Sequence, residues 1–225
     1  MSTSVPRSGN IVSAPLSILY TYNLRGDLDR LPRLHTFLRT LRAQVQRFED
    51  DAAVDVCALT PPVRQVLLVD IGSSCSADVW HCAVTGGRST VIVLDAMGYD
   101  AVHVSGALAP GARERLTDAV QLALVDAGGG LTLPELCVTA APLADKHSLQ
   151  LVLQPRDEAV LAGNLLYPAR IAGDEVGVLH IASGTPRLSA FHRFTLPAST
   201  PPDPTIAGTV DFVLSEARYL QKKQA

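Results

Sequence analysis

The chain has 225 residues, 47% of them apolar and 18% charged, with a net charge of −3 near neutral pH. That suits one large domain with a sizeable buried core. It argues against a nucleic-acid surface, which needs clustered cations and stacking aromatics, because aromatics make up 5% and no basic block occurs.

No apolar run reaches the roughly 20 residues that a membrane helix requires. The opening MSTSVPRSGNIVSAP is rich in Ser, Pro and Gly and lacks the apolar stretch of a signal peptide. The expectation is therefore a cytoplasmic protein with no membrane and no nucleic-acid partner. Residues 1–15 read as a flexible N-terminal segment, and residues 16–225 as a single domain. Four cysteines (Cys57, Cys75, Cys82 and Cys137) are sparse and irregular, as expected of reduced, buried thiols in a cytoplasmic protein.

Leu16–Tyr22 is short, apolar and bounded by Pro15 and a turn, which predicts a buried strand. Leu31, Leu34, Leu38, Leu41 and Val45 then recur at steps of three or four, the apolar face of a helix with Pro32 in its first turn. Glu49–Val63 reads as a loop. Val66–Asp70 is a continuous apolar run, as in a strand covered on both faces. Ser73–Gly87 reads as a small-residue loop, Arg88–Met97 as a helix capped by Gly98, Ala101–Val104 as a strand, and Pro110–Ala127 as a helix stopped by Gly128–Gly130.

This alternation predicts a largely parallel sheet with helical cover. In the second half, Glu135–Ala141, Leu149–Leu153, Leu165–Ile171, Glu175–Ala182 and Leu188–Leu196 read as short strands between Gly, Pro and Asp, which predicts antiparallel pairing. Pro201–Pro204 reads as a stiff connector, and Thr205–Gln221 as a closing amphipathic helix.

In sheets of this kind the working residues lie just beyond strand C-termini. Four such places stand out: Asn23-Leu24-Arg25-Gly26, Asp70-Ile71-Gly72-Ser73, Ser105-Gly106-Ala107 and Gly163-Asn164-Leu165-Leu166.

These segments resemble the calcineurin-like metallophosphoesterases, in their 5′-nucleotidase branch. ILYTYNLRG (18–26) is similar to that branch's ILHTNDLHG, and LLVDIGSS (67–74) to LLLDAGDS. TGGRSTVIVLDAMGYDAVHVSGAL (85–108) resembles the stretch through a helix to GNHE, and EAVLAGNLLYP (158–168) more weakly the segment carrying GHxH. Val176–Leu214 resembles the closing strand, proline connector and helix. The resemblance implies an α/β fold, a two-layer β-sandwich of mixed sheets flanked by helices, with a pair of divalent metals that hydrolyses phosphate esters.

Carried across residue by residue, the family's first metal Asp falls on Asn23 and the His two residues later on Arg25. The bridging Asp falls on Ser73, the Asn and His of GNHE on Gly106 and Ala107, and the two His of GHxH on Asn164 and Leu166. Asp70 matches a structural Asp of the second motif.

A metal pair about 3.5–4 Å apart needs converging carboxylate and imidazole lone pairs. Arginine offers none and stays protonated. Held about 4 Å from a dication at an effective dielectric near 20, it is repelled by roughly 8 kcal/mol. The expectation is thus a degenerate, metal-free and cofactor-free relative with no catalytic residue. It would act as an interaction or regulatory module on a protein partner or on further copies of itself.

Two alternatives stay open. One is a phosphohydrolase with a site rebuilt from Asp70, His81, His103 or Cys75. The other is a sensor in which Arg25 holds a nucleotide or phosphate bidentately. Arg25 can also pair with Asp27, Asp29 or Asp70 and hold the pocket closed, or stay solvated. Cys75, His81 and Cys82, with Asp78 between them and His103 as a fourth ligand, would make a zinc site of unrecognised spacing. His180 and His192 read as hydrogen-bonded strand residues, and Gly86-Gly87-Arg88 as a turn rather than an anion cradle.

Overall fold

Strand β1, Leu16–Thr21, is buried along its whole length, and that single fact organises the rest. The computed structural model describes residues 12, 14–50, 65–144 and 148–224. Side chains alternate across a strand, so Ile18 and Tyr20 face one core while Leu19 joins another. The parallel neighbour β2, Gln65–Asp70, does the same with Leu67 and Val69 on one face and Val66 and Leu68 on the other. Two covered faces explain why both strands read as continuous apolar runs.

The first core lies between this sheet and helices α1 (Leu31–Asp50), α3 (Arg88–Ala96) and α5 (Pro204–Gln224). Leu31, Leu34, Leu38 and Leu41 of α1 are all in it. The second core lies between the first sheet and a second one.

The first sheet also contains β3 (Ala101–His103), β4 (Ala123–Val125), β10 (Glu175–Ala182) and β11 (Arg187–Thr195), in the order β11-β10-β1-β2-β3-β4. β1 to β4 are parallel, while β10 and β11 close the sheet antiparallel, with a register shift between His180 and Ile181. The second sheet is β5 (Leu131–Thr132), β6 (Leu136–Thr139), β7 (Leu149–Val152), β9 (Leu165–Tyr167) and β8 (Val160–Ala162), in that order. The architecture is the expected mixed two-sheet sandwich flanked by helices.

Three expectations are corrected. Pro110–Ala127 is not one helix: α4 covers Ala112–Thr117, and Ala123–Val125 is β4, paired in parallel with β3. Leu122, Leu124 and Val125 are buried apolar residues, and periodicity alone does not separate a short buried strand from a buried helical turn. Ser73–Gly87 is not all loop, since α2 spans Trp80–Thr85. The second half is not all antiparallel, because β6 with β7 and β7 with β9 run parallel. The expected loop Glu49–Val63 begins inside α1, and its residues 51–63 lie outside the described residues. Most of the expected N-terminal segment also lies outside them, although Val12 is buried and bridges Gly184.

Tyr20 shows how the two sheets are keyed together. Its hydroxyl donates to the Ala169 carbonyl at 2.9 Å. Its register partner is Gly177, and a Cβ there would meet the Tyr20 ring at 2.2 Å. Glycine is thus required opposite the ring. The proline connector is seated on α1: the Arg33 guanidinium donates to the carbonyls of Pro197, Ala198 and Thr200, and Asp203 N–H donates to Pro32. The Asp203 carboxylate then caps α5 by accepting from the amides of Thr205 and Ile206.

Candidate functional site

The loops after β1 and β2 are zipped side by side. Ile71 N–H donates to Thr21 O, Asn23 N–H to Gly72 O, Arg25 N–H to Ser73 O and Gly26 N–H to Ser74 O, all at 2.8–3.0 Å. Along this seam three non-glycine residues adopt left-handed backbone: Asn23 at φ 59°, Arg25 at φ 54° and Ser73 at φ 57°. Such residues are uncommon, and Asn, Asp and His are the types enriched among them.

The seam borders a cavity of about 400 Å³ lined by Asn23, Arg25, Ser73, Cys75, Ser76, Ser105, Gly106 and Ala107. Five of the positions singled out in the sequence (23, 25, 73, 106 and 107) therefore meet in one place. The turn 105–107 arrives after β3, and Gly87 at the head of α3 lets it approach, since a Cβ on Gly87 would lie 2.0 Å from the Ala107 carbonyl oxygen. The Gly86-Gly87 pair is thus a close-packed turn. The lining side chains are one guanidinium, one carboxamide, three hydroxyls and one disulfide sulfur, with no carboxylate or imidazole among the described residues.

Arg25 does not pair with Asp27, Asp29 or Asp70. Its Nη2 lies 3.2 Å from Asp78 Oδ2, and the two side chains are 59% and 66% exposed. Asp27 instead faces Arg30 at 3.7 Å. An ion pair so exposed contributes little to stability, so Arg25 does not lock the cavity shut. Ser76 Oγ donates to Asp78 and is the first reason that the Asp78 carboxyl stays below the usual carboxylate range.

Asp70 lies behind the seam and is fully buried. Thr21 Oγ1 donates to its Oδ2 at 2.8 Å, and Ser74 Oγ and the Gly72 amide donate to its Oδ1 at 2.9 and 3.1 Å. Burial outweighs these donors and pushes its pKa up to about 7. Asp70 thus ties the two loops together from within.

Asn164 and Leu166 lie elsewhere. Asn164 precedes β9, where its carbonyl accepts from Gln150 N–H and its Nδ2 donates to Ser148 O. The opposite, C-terminal end of β9 runs toward the site: Ala169 holds Tyr20, and Gly173 packs against the Asn23 carbonyl. Leu166 is a core residue. Neither is among the residues that line the cavity.

The expected reduced thiols are also corrected. Cys75 and Cys82 form a disulfide, and Cys137 is free and half-buried. Cys57 lies outside the described residues. His81 sits beside the disulfide within 4.8 Å of both sulfurs. Its Nε2 lies 2.9 Å from the Gly26 carbonyl and its Nδ1 2.8 Å from Ser89 Oγ. A carbonyl only accepts, so Nε2 carries a proton. Burial lowers the His81 pKa, with the Gly26 hydrogen bond opposing it. His103 Nδ1 faces the Ile71 carbonyl at 3.3 Å. His180 Nδ1 bonds Ser17 Oγ at 2.8 Å and its ring meets His192 edge-on.

This two-sheet, helix-flanked arrangement is the fold of the calcineurin-like phosphoesterases. The calcineurin-like phosphoesterase YfkN from Bacillus subtilis matches it with a TM-score of 0.52 at 11% identity, over 93% of this chain and 100% of that one. The Thermus thermophilus sulfate thiohydrolase SoxB, in complex with glycerol, matches with a TM-score of 0.56 at 12% identity. There the match covers 95% of this chain and 62% of the SoxB chain. No family model and no curated protein matches the sequence. No helix among the described residues is long and apolar enough to cross a membrane.

Proposed function

We propose that this chain is a degenerate, metal-free metallophosphoesterase-like domain, of 5′-nucleotidase type, that acts as a non-catalytic interaction or regulatory module. The chemistry of the cavity wall carries the reading. Two dications need a bridging carboxylate and several imidazoles, and the wall offers Asn23, Arg25, Ser73, Ser76 and Ser105 instead. The residues present do not fit a metal pair, and Arg25 opposes one by charge.

The backbone supports the same conclusion. Left-handed conformations at positions 23, 25 and 73 are the ones that Asp, Asn and His favour and that Arg and Ser do not. The left-handed backbone at Arg25 and Ser73 is thus unusual for the side chains it carries. Of the four residues of a rebuilt hydrolase site, Cys75 is in the disulfide, Asp70 is enclosed by three donors, His81 uses both ring nitrogens, and His103 turns Nδ1 to the Ile71 carbonyl and is not among the residues that line the cavity.

The test is metal analysis and phosphatase assay of the purified chain, with and without added Mn²⁺. The expected result is less than one-tenth equivalent of bound metal and no turnover above buffer. Two equivalents with turnover of a phosphate monoester would overturn the reading. Light scattering of the same sample separates a partner-binding monomer from a self-associating module.

A second reading is favoured by one observation, the exposed Arg25 guanidinium on the cavity wall beside three hydroxyls. That set suits a nucleotide or phosphate monoester. A nucleotide panel that raises Tm in the native chain and not in Arg25→Ala would support it, and a flat panel would remove it.

A further inference from the structure

The Cys75–Cys82 bond borders two cavities. Cys75 lines the one that holds Arg25, and both cysteines line a second of about 220 Å³ with Ala83, Gly86, Leu108 and Ala109. Gly26 is seated on the bond, because a Cβ there would lie 2.6 Å from Cys82 Sγ. The turn that carries Arg25 therefore rests on the sulfur pair. The span between the cysteines carries Asp78, which pairs with the Arg25 guanidinium, Ser76, which donates to Asp78, and His81, whose Nε2 bonds the Gly26 carbonyl. The backbone bonds of Ser76 and Val79 stay within that span and its helix, from Val79 N to Ser76 O and from Ala83 N to Val79 O. Thr90 Oγ1 lies 3.1 Å from Cys75 Sγ and 3.9 Å from Cys82 Sγ. A disulfide sulfur has no proton, so the hydroxyl donates.

Cys75 and Cys82 are both buried, and the second cavity they line is the path to them. We propose that Cys75–Cys82 is a thiol–disulfide exchange site that a small dithiol reductant reaches through this cavity, and that its reduction releases residues 75–82 together with the Arg25 turn resting on them. A thiolate of the reductant enters from the second cavity and attacks Cys82 Sγ. The S–S bond breaks and Cys75 leaves as a thiolate, stabilised by the Thr90 hydroxyl and then protonated. The reductant's second thiolate displaces Cys82, giving two protein thiols and one oxidised reductant, a two-electron exchange. The exchange site stands whether or not the Arg25 cavity binds a ligand.

The test uses the full chain, oxidised and then equilibrated in dithiothreitol or glutathione buffers, with alkylation mapped by mass spectrometry and amide exchange measured in each state. Cys75 and Cys82 are expected to titrate together and reversibly without loss of the fold. Exchange at residues 24–26 and 73–79 should rise at least tenfold while β2 stays unchanged. Thr90→Val should slow reduction severalfold, and Thr90→Ser should restore the rate.

A bond that resists reduction until the protein unfolds would make it a structural staple and overturn the proposal. So would reduction that leaves exchange at these residues unaltered. The proposal also fails if the purified chain holds one equivalent of zinc on Cys75, His81 and Cys82 in place of the bond.

Discussion

Arg25 and Ser73 face each other across the seam, joined by a 2.8 Å hydrogen bond from the Arg25 amide to the Ser73 carbonyl, and both hold left-handed backbone. Neither residue type favours that conformation, which costs about 1–2 kcal/mol for an ordinary L-residue. Glycine removes the penalty, at about 0.5–1 kcal/mol of extra chain entropy lost on folding. Ser73→Gly should therefore leave stability unchanged or raise it by up to about 1 kcal/mol. Ser73→Val should lower it by about 2 kcal/mol or more, because β-branching aggravates the strain. Urea unfolding midpoints at constant m-value read both changes.

Asp70 makes stability depend on pH. Its carboxyl is raised from an ordinary value of 3.8 to about 7 by burial. A raised folded pKa means that its contribution is complete below about pH 4 and is lost as pH rises through about 7. The span is on the order of 4 kcal/mol at most. Asp70→Asn can keep the acceptor facing Gly72 and Ser74 and turn its amide toward Thr21. Denaturant titrations between pH 4 and 8 should thus show a decline in the native chain and a flatter profile in the variant.

Gly177 tests the keying of the two sheets. The Tyr20 ring is fixed by its bond to Ala169 and by stacking on Phe191 at 6.4 Å between centroids. A Cβ at 2.2 Å from that ring forces one of them to move. Gly177→Ala should cost about 2–3 kcal/mol, in the range of overpacked cores, seen as a lower Tm by calorimetry.

Asp78 controls how available Arg25 is. Because the pair is exposed, Asp78→Ala should leave the urea unfolding midpoint unchanged. It also removes the carboxylate that pairs with the Arg25 guanidinium and would compete with an incoming anion there. If Arg25 holds phosphate esters, adenosine monophosphate should bind several-fold more tightly to this variant by calorimetric titration.

How much of this the sequence revealed follows from burial. β1 and β2 were legible because strands covered on both faces are apolar throughout, and α1 because one face repeats Leu at helical spacing. β4 was not, since a three-residue apolar strand looks like a helical turn in sequence. The parallel pairing of β6, β7 and β9 was not, because hydrophobic pattern sets which face is buried and carries no strand direction. Positions 23, 25, 73, 106 and 107 could be found from their places beyond strand ends. Asn164 lies apart from the cavity they line, and the stretch compared with GHxH had too few matching residues to place it by sequence. Arg25's partner Asp78 and the Cys75–Cys82 bond lie across loops whose conformation no local periodicity encodes.

Strand β11 ends the first sheet, and nine residues is long for such a position. A bare border of that length would template pairing with a neighbouring molecule. Arg187 and Arg193 stand along it, and the register shift at His180 and Ile181 bends its partner. Cationic guards and a kink are the means by which chains stay dispersed at high concentration. Among the described residues the other sheet margins, β4, β5 and β8, are only two or three residues long, so the guard stands at the longest margin along which order could spread from copy to copy.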